Sequence, residues 1–125
     1  MASILRVNTL TDASSGNSTA MSVINQGVAK AWAKVTYSGG TPSSADSTNI
    51  SSYNDDGTGI YDANFTNSMS SSNYSASGMS INNTRVLTYN TFDSSYLEFK
   101  VYNLGISATT LSDSDSSFQI DGDLA

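Results

Sequence analysis

Residues 96–104, Tyr-Leu-Glu-Phe-Lys-Val-Tyr-Asn-Leu, place Leu97, Phe99 and Val101 at every second position. A period of two belongs to a strand with one buried face, because successive side chains point to opposite sides of the pleat. Comparable short runs occupy 3–10, 18–25, 47–54, 59–67, 73–81, 84–92 and 116–122, with Gly, Asn, Asp and Ser between them. Residues 28–37 join this set. Their Ala and Lys content suits a helix, but Val28, Lys30, Trp32 and Lys34 fall on one face, and Ala29, Ala31, Ala33 and Val35 on the other. About eight short strands at spacings near ten residues predict an all-β fold, an antiparallel β-sandwich of jelly-roll-like type. An N-terminal arm or hairpin built from 3–10 and 18–25 precedes it. The expected division is an anchoring segment at 1–27 and a sandwich domain at 28–125.

The predicted core takes Leu97, Phe99 and Val101 with Val86 and Phe92, and draws further bulk from Tyr61, Phe65, Met69 and Trp32. With its ring inside the sandwich, Trp32→Ala is expected to cost about 3–5 kcal/mol. The chain's one proline, Pro42, lies in Ser-Gly-Gly-Thr-Pro-Ser-Ser, which is expected to end the Trp32 strand as a turn.

Composition narrows the chemistry. The chain has 125 residues, no cysteine and no histidine. These absences remove disulfides, thiolate and imidazole metal sites, and the Ser-His-Asp and Cys-His catalytic arrangements. A formal charge of -6 arises from eleven acids against five scattered bases, Arg6, Lys30, Lys34, Arg85 and Lys100. Such a chain is not suited to nucleic acid or to an anionic membrane surface. No apolar run approaches the roughly 20 residues of a spanning helix, and the N-terminus lacks the apolar core of a secretory signal. Synthesis in a cytoplasm and a soluble product are expected.

The segment Asn54-Asp55-Asp56-Gly57-Thr58-Gly59-Ile60-Tyr61-Asp62 invites an ion- or phosphate-loop reading. An EF-hand starting at Asp55 would need glycine at Ile60 and an acid at Thr66. A dinucleotide loop would need a third glycine and a helix, and a phosphate loop would need a lysine. An irregular Ca²⁺ site through Asp55 and Asp56 stays open. The favoured reading is structural: Asp56-Gly57, with Gly59 behind it, reverses the chain, and Tyr61 and Phe65 follow into a packed strand. The second acidic stretch, 112–123, fails the same test at Phe118 and Leu124 and is expected to be a solvated terminal loop. Asp62 and Glu98 are the acids within strand-like runs and the candidates for paired-carboxylate chemistry, with solvent-facing positions expected for both. No catalytic, cofactor-binding or metal-binding residue is assigned. Seven tyrosines beside many Asn, Ser and Thr would suit glycan contact, against the expectation that most are half-buried on strand faces. Five Asn-x-Ser/Thr sequons, at Asn17, Asn49, Asn64, Asn73 and Asn82, are what so much Asn and Ser produces by chance.

Gly27-Val-Ala-Lys-Ala-Trp32, followed by Asp56-Gly57-Thr58-Gly59 and Asn64-Phe65-Thr66, resembles a module of structural and fibre-type proteins of marine tailed bacteriophages. The resemblance covers about residues 4–77, and it includes the opening Ile4–Met21 stretch. Tyr53 stands where the pattern has an aliphatic residue, and Ala63 where it has a β-branched one. The proline often found after the methionine is absent. What the resemblance implies is a virion component without enzymatic motifs: a small fibre or fibre-tip subunit or a capsid decoration protein, displayed on the particle and homotrimeric. Its partners would be other tail or capsid subunits, and a host surface glycan is a further candidate. A full fibre carries a shaft and an attachment domain, so the short segment before residue 28 is expected to act as the anchor by β-augmentation.

Overall fold

The computed structural model describes residues 8–11, 18–105 and 110–125. The strands are β1 (Thr9–Thr11), β2 (Ser18–Ala20), β3 (Ala31–Ser38), β4 (Thr41–Thr48), β5 (Ile50–Gly57), β6 (Ile60–Phe65), β7 (Ser75–Ser80), β8 (Arg85–Phe92), β9 (Tyr96–Asn103), β10 (Thr110–Leu111) and β11 (Ser116–Asp121). One short helix, α1 (Met21–Gly27), follows β2. Two antiparallel sheets carry the fold. Sheet I runs β4-β3-β11-β7; in sheet II, β5-β6-β9 continues to β8, and β10 extends the β6 side of β9.

The sandwich expected from the alternation is present. Of the nested pairings that would mark a jelly roll, the β3–β11 pair appears, but β4 pairs with β3 and not with β9. Sequence-adjacent hairpins, β3–β4, β5–β6 and β8–β9, dominate instead.

Each inner face follows the period of two. Ala31, Ala33 and Val35 on β3 and Phe118 and Ile120 on β11 face Tyr61, Ala63 and Phe65 on β6 and Leu97, Phe99 and Val101 on β9. Aromatic rings fill the gap between sheets, and this is why β3 contributes small residues there. Phe99 meets Phe118 across the sandwich at 4.4 Å between centroids, and Tyr61 meets Phe99 at 5.2 Å and Tyr37 at 5.3 Å. The buried Tyr61 hydroxyl reaches Ser116 Oγ at 2.5 Å, joining sheet II to sheet I with one polar contact.

Trp32 is not a core residue. It alternates outward from Ala31 and Ala33, and 37% of its surface is exposed on the outer face of sheet I. Val86 also points outward, and Leu87 is buried in its place. The cause is a bulge: Asn90 is inserted between Tyr89, opposite Phe99, and Thr91, opposite Glu98. One extra residue reverses the phase of everything beyond it. Phe92 therefore faces inward opposite Leu97, but it sits at the sheet edge with only its Tyr74 and Tyr89 flanks covered.

Two further expectations, the strand through 21–25 and the turn around Pro42, are corrected, and the N-terminal hairpin is met where the structure describes it. Residues 21–25, read as strand, lie in α1. Two turns are too short for a helical period to stand out from an alternating one, and tertiary context decides such segments. Of the expected hairpin, β1 pairs with β2 while 1–7 and 12–17 lie outside the described residues. The turn after β3 is just Gly39-Gly40, with φ of 61° and 85°, the positive pair a tight hairpin requires. Pro42 belongs to β4, where an edge strand tolerates its missing N–H.

Candidate functional site

At one end of the sandwich, the glycine-rich turn is locked to the far end of the chain. β5 runs to Gly57, which pairs with Ile60, so the reversal falls on Thr58-Gly59 and not on Asp56-Gly57. Asp56 is instead the bulged residue between Asp55 and Gly57, and both it and Gly57 are exposed. Gly59 is buried with φ of 67°. A Cβ there would lie 2.6 Å from Ser112 N and 2.8 Å from Val101 O, so backbone fills the space a side chain would need. Its N–H donates to Asp113 Oδ1 at 2.7 Å, and its carbonyl accepts from Val101 N at 2.8 Å.

The acidic stretch expected to be a solvated loop does this holding. Asp115 Oδ1 accepts from Tyr37 N at 2.9 Å, and the Arg85 guanidinium donates to the Asp113 carbonyl. Ser114 and Ser116 are buried. Tyr37, Arg85, Asn82 and the two aspartates line a polar depression, in which the Tyr37 hydroxyl and Arg85 Nε are buried without partners. Burial pushes the Tyr37 phenol far above its ordinary range, and the nearby Tyr61, Asp113 and Asp55 add to the shift. The Asp113-x-Asp115 spacing was the visible signal. Each carboxylate takes a backbone N–H, Asp113 that of Gly59 in the turn and Asp115 that of Tyr37 near the end of β3.

Asp62 and Glu98, the candidate carboxylate pair, lie directly opposite each other on β6 and β9, on the outer face of sheet II. Glu98 is held by Asn90 Nδ2 at 2.5 Å, Thr91 Oγ1 at 3.2 Å and Lys100 Nζ at 3.9 Å. Asp62 Oδ1 is buried without a partner. Desolvation raises the Asp62 pKa, and the neighbouring Asp56 and Glu98 charges raise it further. Two acids side by side on an open sheet face are a like-charge cross-strand pair and do not flank a cleft.

The outer face of sheet I carries the tryptophan. Trp32 stands beside Thr48 of β4 on one side and Gln119 of β11 on the other, and Gln119 in turn stands beside Ser77 of β7. The next row holds Lys34 opposite Asp46 and Ser117 opposite Met79. A shallow depression of about 530 Å³ runs over Trp32, Lys34, Gln119 and Met79.

The tyrosines divide. Tyr37, Tyr53, Tyr61, Tyr74 and Tyr89 pack into the aromatic chain of the core. Burial lifts the Tyr74 and Tyr89 phenols to about 12. Tyr96 pairs with Asn64 on the outer face of sheet II. Among the described residues no group of three or more acidic side chains is disposed to hold a metal ion. None of the described helices is long and apolar enough to cross a membrane. No protein family matches this chain, and neither does any curated protein or solved structure.

Proposed function

We propose that the protein is a non-enzymatic structural component displayed on the surface of a tailed-phage particle, acting as a small fibre or fibre-tip subunit. The reading starts from the resemblance of the Trp32 strand and the Gly57-Thr58-Gly59 hairpin to phage virion modules. The observation that supports it in the fold is the segment before β3. There β1 and β2 form a two-stranded sheet of their own, and Leu10, Val23 and Val28 are exposed at 49%, 58% and 54%. Apolar side chains left open beside a closed sandwich suit attachment to another subunit. The acids of the sandwich support the same reading, because Asp93, Asp113, Asp115 and Glu98 are occupied in holding turns and neighbours.

In this role residues 1–27 dock onto a tail subunit and the sandwich faces outward as a homotrimer, with virion localisation after synthesis in the host cytoplasm. The same parts would serve a capsid decoration protein. Copy number separates the two. Cryo-electron microscopy of the particle should show a few threefold copies at the tail; hundreds on the shell would assign decoration, and absence from purified particles would end the virion reading. A mutant phage with Leu10, Val23 and Val28 changed to Ser should make the protein but fail to incorporate it.

A further inference from the structure

We propose that the outer face of sheet I binds an uncharged glycan, with the Trp32 indole as the stacking platform. The starting point is an imbalance within β3. Its inward positions are Ala31, Ala33 and Val35 with Tyr37 at its end, while its largest side chain, and the chain's one tryptophan, faces outward in the middle of a sheet. Packing does not require it there, since the interior is filled by Tyr61, Phe99 and Phe118 from the other strands.

The neighbours of Trp32 fit a sugar. Strands lie about 4.8 Å apart, close to the width of a pyranose ring. A ring stacked on the indole therefore places its equatorial hydroxyls above Thr48 on one side and Gln119 on the other, with Ser77 one strand further. Hydroxyl and amide groups both donate and accept, which is what a sugar hydroxyl needs, while the ring's C–H face meets the π-face. The depression of about 530 Å³ on the β11 side of the indole, lined by Trp32, Lys34, Gln119, Ser77 and Met79, is within the range of small-ligand sites, and Thr48 stands outside it across Trp32.

Charge and area decide between occupants. On a chain of net charge -6, this face carries Lys34 opposite Asp46 and, further along β11, Asp121, whose Oδ2 accepts from Gln119 Nε2 at 3.2 Å and leaves the rest of that amide free. With no excess of positive charge beside the indole, the face favours a neutral ligand over an anionic polysaccharide. A second copy of the chain would need a broad apolar core to its interface. Here the apolar outward side chains of the two rows are Trp32 and Met79, set among Thr, Gln, Ser, Lys and Asp.

The single tryptophan supplies its own reporter. Purified protein is titrated with four uncharged hexasaccharides, a β-1,4-glucan, a β-1,3-glucan, an α-1,6-mannan and a β-1,4-N-acetylglucosamine oligomer, while indole emission is followed. The expected result is a saturable blue shift with at least one of them. By calorimetry, Trp32→Ala should weaken that binding at least about tenfold, and Gln119→Ala should weaken it measurably. Trp32→Tyr should retain part of it, and Tyr96→Ala, on the opposite outer face, should leave it unchanged. Unaltered far-ultraviolet circular dichroism shows that each variant is folded. No emission change with any of the four sugars overturns the proposal, as does full binding by folded Trp32→Ala. A sugar-independent blue shift that grows with protein concentration, together with a dimer in sedimentation, also overturns it and assigns the face to a second copy. Each outcome is independent of where the chain sits on a particle, so failure of the virion reading and failure of this one are separately visible.

Discussion

Gly59 is the residue on which the turn end depends. Any side chain there would have to adopt φ of 67° and push its Cβ against the backbone of Ser112 and Val101. Left-handed strain and overpacking each cost on the order of 1–3 kcal/mol, so Gly59→Ala should lower stability by roughly 3 kcal/mol in denaturant unfolding. Asp62 works in the opposite sense. Its folded pKa is raised above the ordinary 3.8, so the folded state binds its proton more tightly than the unfolded chain does. The penalty is absent below about pH 3.8 and develops as pH rises through the folded value. Asp62→Asn should therefore stabilise the protein at pH 7 by about 0.5 kcal/mol, the scale of a cross-strand like-charge pair, and the gain should vanish near pH 3. Urea titrations at the two pH values check the sign. Trp32→Ala, with the ring outside the core, should cost about 1 kcal/mol by the same measurement, well below the figure for a buried aromatic.

At the scale of elements, the strands whose inward residues are large were legible: β6, β9 and β11 fall close to where alternation of Tyr61-Ala63-Phe65, Leu97-Phe99-Val101 and Phe118-Ile120 places them. β4 was not, because Thr-Pro-Ser-Ser-Ala-Asp-Ser-Thr on an edge needs little apolar surface to pair with β3. The Asn90 bulge was invisible for another reason. An inserted residue has no composition of its own, and it silently exchanges Val86 for Leu87. The passage from β4 to β5 is a third local device. Asn49 takes φ of 60°, and its side chain accepts from Asn67 N at 2.7 Å and donates to Asn67 O at 3.0 Å. Asn49→Gly keeps the conformation and loses the clamp, whereas Asn49→Ala loses both. Thermal unfolding should rank wild type above Gly and Gly above Ala, with Ala about 2 kcal/mol below wild type.

For the whole molecule, the sandwich and the part of its core made by Tyr61, Phe65, Met69, Leu97, Phe99 and Val101 could be read in advance because burial on one face leaves a period-two imprint, whereas Ala31, Ala33, Val35, Ala63, Leu87, Phe118 and Ile120 were not anticipated as core. The turn lock and the Trp32 face could not, since Asp113, Asp115, Gly59, Gln119 and Thr48 come together only once the pairing order of distant strands is fixed. The two-stranded β1–β2 sheet stands apart from both large sheets. Deleting residues 1–27 should thus move the thermal midpoint of the sandwich by less than about 3 °C, the equivalent of a fraction of a kcal/mol for a domain of this size; a fall several times larger would show that the segment is part of the folding unit. The position of β11 has a different consequence. It lies between β3 and β7 in the middle of sheet I, so until Ser116–Asp121 has been synthesised, β3 and β7 have no neighbour to join them and Phe99 has no Phe118 to pack on. Folding must wait for closure across some eighty residues of sequence, a non-local step of the kind that makes β-proteins slow to fold. A nascent chain that has not yet reached β11 would hold an open sheet with two exposed inner edges, free to pair with its neighbours.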